Sequence, residues 1–374
     1  MNLLKKKDEK KTEQEKVEER RAEVLSKGRK FKYPLQWTKH RVVINTILIA
    51  FVILALIVTA GWLALYRFGM TDDLLFRVTK IIPVSVANVD SEEVRFSDYL
   101  MLYRSSLTSL ERQSTSQFDE ESLDDLRAEY KRSALTEAEK YALAAKLAPE
   151  LGVDVTSEEV DAEFDRHLKI GGLDRSEESF MKIIEDNFGL SKDEYKRMLY
   201  LTLLKAKVEE KIDNEANKIA KQVEEILASS DNDYEKVADE LGEAVIYEET
   251  DGLVDSKNID GGRAIEAMKL EPDKSSGRFV SANGDGYYFV KLIKKTNTEV
   301  NFVSIKVPFT EFNKRFEELK KDGKITEYIE ITIPNSTEEN VEESIEETVE
   351  QAPNETTTEE IINENVEQIT EPAE

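Results

Sequence analysis

The sequence has no cysteine and only two histidines, His40 and His167. The first absence excludes thiol nucleophiles, cysteine-ligated zinc, iron–sulfur clusters and disulfides. The second excludes a multi-histidine metal site and leaves His167 alone to serve a Ser-His-Asp triad, because His40 lies against a long apolar segment. Lys, Arg and aromatic residues are missing from residues 335–374, which carry 14 acidic side chains among repeated Thr, Asn and Glu. Such a segment cannot bury enough apolar area to offset its ordering entropy, so it reads as a disordered acidic tail. Its carboxylates lack the spaced loop and turn glycine of a dedicated calcium site.

What is present divides the chain unevenly. Of 374 residues, with a formal charge of −26, positions 1–41 hold 14 basic and 7 acidic side chains, a local +7 that leaves −33 for the rest. A polyanion is repelled by that body, so nucleic-acid binding is excluded there. The basic leader, 1–41, reads as a solvated cytoplasmic helix or tail that enforces topology. From Val42 to Tyr66 run 25 residues without one charge, long enough to cross a hydrocarbon core and contact membrane lipid along residues 42–66. Trp62 and Tyr66 suit an interfacial belt. Lys27, Arg29, Lys30, Lys32, Lys39 and Arg41 outnumber Arg67, Arg77 and Lys80 on the other flank, which predicts a single-pass protein of the cell membrane, N-terminus cytoplasmic and bulk extracytoplasmic. A cleaved signal peptide does not fit, since no small-residue cleavage site follows the run.

Beyond the span the pattern is α+β. Ile82 to Val89 is β-branched and reads as a strand, Asp90 to Glu93 as a turn, and Val94 to Phe96 as the return, with Ser97-Asp98 capping a helix from Tyr99. Glu120 to Leu151 forms a long amphipathic helix closed by Gly152. Thr156 or Ser157 caps Glu158 to Leu168, Ser176 caps Glu177 to Phe188, and Ser191 with Glu194 makes a capping box for a helix reaching Ile226. His167, at the end of its helix, reads as a partly exposed dipole partner.

The runs KYALAAKLAPELGVDVTSEEVDAEFDRHLK and SEESFMKIIEDNFGLSKDEYKRMLYLTLLKAKVEEKI resemble the N-terminal chaperone domain of SurA-like and PrsA-like secretion foldases over residues 82–215. In its anchor the chain is similar to PpiD-like, translocon-associated members. The resemblance implies a degenerate parvulin-type prolyl isomerase domain at 216–308, carried by DYEKVADELG and by EAMKLEPDKSSGRFVSANGDGYYFVKLI. A C-terminal helix and a strand from Ile325 to Ile333, within 309–334, would return to complete the chaperone domain, making the isomerase-like module an insertion. Tyr288 stands where that family carries a histidine, the Gly-Gly loop shrinks to Thr250-Asp251-Gly252-Leu253, and no opening strand precedes Lys218. Val300 to Val307 alternates like that opening strand displaced to the domain's end, with Ser304 at the second histidine position; an ordinary extra strand is the other reading.

Prolyl isomerisation needs an apolar pocket with a few polar groups and no covalent nucleophile. Asp251, Met268, Phe279 and Tyr288 are the candidates for a remnant pocket, and core or loop duty is their plainer role. No catalytic residue, metal ligand or cofactor is assigned. Adjacent carboxylates such as Asp124-Asp125 and Glu158-Glu159 point to different sides of their helices and read as solvated faces. The implied activity is a holdase or foldase whose partners are unfolded or translocating polypeptides and the Sec translocon. An active isomerase with an altered site and a non-catalytic envelope scaffold are the alternatives.

Overall fold

The computed structural model describes residues 13–27, 34–114, 120–169, 175–258 and 260–332. The expected acidic tail therefore lies outside the described residues, as does most of the leader beyond helix α1 (13–27). Contacts divide the chain into two units, Met1–Phe68 and Gly69–Glu374.

The first unit is built on α2, Pro34–Trp62, continued by a wider helical turn, Leu63–Arg67. Within Arg41–Arg67 an 18-residue window reaches a mean hydropathy of 2.9, and the stretch is long and apolar enough to cross a membrane. Its hydroxyls are satisfied internally: Thr46 and Thr59 each donate to the carbonyl four residues back, at 2.8 Å. A span needs this, because lipid offers no partner to a polar group.

The second unit opens with a helix that the sequence reading did not contain, α3 (Asp73–Ile81). Then come β1 (Ser85–Val89), β2 (Glu92–Arg95), α4 (Phe96–Ser114) and α5 (Glu120–Leu151). The β1–β2 turn holds Asp90 and Ser91 at positive φ, the geometry a two-residue hairpin requires. Helices α6 (Ser157–His167), α7 (Glu177–Phe188) and α8 (Lys192–Ile212) follow, and their caps are those the sequence specifies. Thr156 and Ser191 close complete capping boxes, and Ser176 accepts from the Ser179 amide. α4 and α8 flank α5, and Phe164, Phe180 and Tyr195 meet edge-to-face at 5.6–6.1 Å where α6, α7 and α8 converge.

Two expectations are corrected here. The helix starting at Lys192 does not reach Ile226; it ends at Ile212, and α9 (Asn214–Ser229) begins anew. The break is made by Asp213, 2 % exposed, whose Oδ1 accepts from the Ala216 amide at 2.8 Å. Its Oδ2 accepts from the amides of Thr310 and Glu311 at 2.7 and 3.0 Å, so one carboxylate caps two helices. His167 is not a surface residue either. It is 1 % exposed, its Nδ1 faces the Tyr195 hydroxyl, and its Nε2 lies 3.1 Å from Glu163. Burial lowers the imidazole pKa more than Glu163 restores it.

After α9 the chain forms α10 (Tyr234–Leu241), β3 (Ile246–Glu249), β4 (Val254–Asp255), α11 (Arg263–Lys269), β5 (Phe279–Val280), β6 (Gly286–Lys295) and β7 (Glu299–Pro308). These strands make an antiparallel sheet of order β3-β7-β6-β5, with β4 also on β7. One face packs on α9 and α10 through Tyr287, Phe289, Val303, Ile305 and Val307. The other carries Val290, Leu292, Val300 and Phe302 beneath α11. The strand at 299–308 is thus interior, hydrogen-bonded on both sides.

Helix α12 (Glu311–Lys321) then returns to α8, and β8 (Ile325–Glu327) pairs antiparallel with β1 in a three-stranded sheet, β2-β1-β8. The final strand is shorter than the expected Ile325–Ile333, covering three residues before Tyr328 donates to the Val86 carbonyl. The β5–β6 turn reaches the helical layer at Gly284, which has φ +70°; a Cβ there would lie 2.5 Å from that of Ala206 on α8.

Candidate functional site

The sheet face under α11 changes character along its length. In register, Leu292 opposes Phe302, Val290 opposes Ser304, and Tyr288 opposes Lys306. The first of these rungs is apolar and covered by α11, whereas the last opens into a polar group. Tyr288 is 4 % exposed, and its ring stacks on Phe279 with centroids 6.0 Å apart. Two cations lie by that ring, Arg263 at 5.2 Å and Lys306 at 5.7 Å. Arg263 pairs with Glu248 of β3 and reaches the Ser304 hydroxyl at 3.4 Å; Lys306 pairs with Asp285. The Tyr288 hydroxyl donates to Asp285 at 3.4 Å.

The electrostatics hold this group in fixed charge states. Desolvation, then the Asp285 carboxylate, raises the Tyr288 pKa, so the phenol stays protonated. Burial alone would lower the Lys306 ammonium, but its bond to Asp285 outweighs that and the net direction is up. Asp260, at the start of α11, is pushed up to about 6 by burial, although its carboxylate accepts from the Ala264 amide. Each cation is matched to a carboxylate. The Tyr288 hydroxyl already donates to Asp285, whose charge Lys306 matches, so what the arrangement offers is positioning and polarity.

Of the four sequence candidates, the structure brings three together. Phe279 and Tyr288 stack, and half-buried Met268 packs with Phe279 on the cluster beneath α11. Asp251 stands apart: it is exposed on the β3–β4 turn, whose Thr250 bonds Phe302, four residues along β7 from Lys306 and so about 13 Å away. Arg263, Lys306, Asp285 and Glu248 were not among the candidates. Lys306 could have been found from the alternation of 300–307, which puts it on the face of Ser304; the others depend on strand order. Among the described residues no group of His, Asp and Glu could hold a metal ion.

The helical layer offers a different surface. It holds a half-buried ion pair, Glu137 to Lys205 at 2.8 Å, and a buried acid, Glu139. Its described outer faces on α4 to α9 leave no large apolar side chain exposed. Exposed apolar residues instead collect on α3 (Leu74, Val78, Ile81) and on the sheet module (Ile246, Leu253, Ile265, Val280, Ile293).

Residues 35–209 match a family model described as the SurA-like N-terminal domain. The match takes in the apolar span and the helical layer through most of α8, and stops short of the sheet module. No curated protein and no solved structure matches the chain.

Proposed function

We propose that this chain is a membrane-anchored extracytoplasmic chaperone that holds unfolded or translocating polypeptides, with residues 42–66 as its single anchor and the N-terminus in the cytoplasm. The observation that carries the reading is the SurA-like match across 35–209, which joins a chaperone-type domain to a segment apolar enough to span a bilayer. The basic excess before Val42 supports the orientation.

In this reading the sheet module is a parvulin-like domain in permuted order. An extra strand added to a complete sheet would sit at its edge; β7 sits inside, paired with β6 along its length. Its chemistry is retired: Tyr288 and Ser304 stand at the family's histidine positions, and the Lys306–Asp285 and Arg263–Glu248 pairs fill the polar end. Clients are held on the module's partly open apolar residues, and tethering near the membrane raises the local concentration of such weak contacts. The sequence has no nucleotide-binding motif, so release follows from the client's own folding.

The test uses residues 69–374, which form one compact unit. The expected result is suppressed aggregation of an unrelated unfolded protein with no acceleration of proline cis/trans exchange, read by NMR on a proline peptide. Acceleration that Tyr288→Phe or Met268→Ala abolishes would instead make the module an active isomerase. A single stoichiometric partner, lost on deleting residues 335–374, with no general protection, would favour a scaffold.

A further inference from the structure

Helix α3 is amphipathic with its apolar side outward. Leu74, Val78 and Ile81 are 70, 40 and 83 % exposed, and at 100° per residue they form one stripe opposite Phe76 and Thr79, which are 4 and 1 % exposed. Ile82, 55 % exposed, extends the stripe at one end, and Met70, 44 % exposed, lies before it at the other. The inner side is fastened to the helical layer. Arg104 of α4 lies 4.6 Å over the Phe76 ring and bonds Asp73 at 2.7 Å, while Lys80 bonds Glu194 of α8 at 2.9 Å. The stripe is therefore presented in a fixed direction.

Its position in the chain identifies what covers it. Only residues 68–72 separate the end of the apolar span at Arg67 from Asp73. Five residues reach under about 20 Å even when fully extended. If Arg67 is at the bilayer surface, α3 cannot leave its vicinity. We infer that α3 lies in the membrane interface, with Leu74, Val78, Ile81 and Ile82 inserted at the level where acyl chains meet headgroups. An interfacial helix buries its apolar face there by about 5–10 Å. This inference rests on the anchoring proposed above. The partner is the lipid interface as such and not anionic headgroups, because residues 72–82 carry two acidic and two basic side chains and no net charge. Seated this way, α3 fixes how the helical layer faces the membrane, so the body is oriented and not merely tethered.

The absence of cysteine makes the test clean. In the full chain, Leu74→Cys and Val78→Cys each carry a fluorophore, with Leu54→Cys in the span and Ile265→Cys on α11 as references, in vesicles of phosphatidylcholine alone. Labels at 74 and 78 should lose emission severalfold to lipid spin-labelled near the headgroup and little to aqueous iodide, with Ile265→Cys showing the reverse. Iodide quenching at 74 and 78 matching that at 265, while the label at 54 is quenched by lipid, would overturn the inference and leave the anchor standing. Shielding of 74 and 78 from both quenchers would mean that protein covers the stripe, and would also overturn it. A label at 54 that lipid does not quench would remove the anchoring reading itself, and this inference with it.

Discussion

Glu139 on α5 is 3 % exposed, and its Oε1 has no hydrogen-bond partner among the described residues. Burial, with Glu327 adding a like charge, pushes its carboxyl up to about 8 from the ordinary 4.5. Between those two values the folded protein binds more protons than the unfolded chain, so stability falls as pH rises through the window. Glu139→Gln should flatten that slope and raise stability at pH 8 by at least about 1 kcal/mol, measured by urea unfolding at about pH 5 and pH 8. Parallel slopes in parent and variant would show that Glu139 is solvated. Asp213 is the opposite case, since its carboxylate is fully used. Asp213→Ala orphans three amides at two helix starts and should cost about 2–4 kcal/mol, read as a lower urea midpoint. An unchanged midpoint would mean that the double cap contributes nothing.

Among the elements, α12 and β8 matter out of proportion to their length. Phe312 and Phe316 are 1 and 2 % exposed, and α12 packs on α8. Phe316→Ala should cost about 3–5 kcal/mol. Because β8 follows α12 onto β1, the loss should also appear as faster amide exchange in β1; protection there unchanged would show that β1 does not depend on its C-terminal partner. The sequence disclosed those elements whose causes are local. Thr156, Ser176 and Ser191 cap helices through atoms three residues away, so their patterns were legible. The break at Asp213 was not: its Oδ1 caps Ala216 three residues on, but apolar periodicity runs through the site and the partners of its other oxygen lie 97 and 98 residues on. His167 was misplaced for the same reason: its Tyr195 partner is on another helix. At the candidate site Tyr288 and Phe279 could be named from the family resemblance of the segment that carries them. Arg263 and Glu248 could not, since only the order β3-β7-β6-β5 brings them to that face.

On the scale of the whole molecule, the sheet module enters and leaves the helical layer at one point. Asp213 and Thr310 are joined by a 2.7 Å hydrogen bond, so the two ends of the intervening segment are adjacent. Replacing residues 214–309 by a short Gly-Ser link should therefore leave a helical layer that unfolds in one cooperative transition. If client holding belongs to the module, aggregation suppression should fall sharply in that variant; full suppression would move the holding surface to the helical layer. Loss of the cooperative transition would show that the module is part of the layer's core. The same return path has a consequence in time. In the anchored orientation proposed above, the body follows the span across the membrane and delivers β1 and β2 first and β8 only after the whole sheet module, so the sheet that opens the body is closed late. Until then β1 has a free edge, ready to pair with any strand nearby, its own sister chains included. A protein that stalls before Ile325 would emerge as a sticky fragment, and a cell that makes it must finish each copy before any copy is safe.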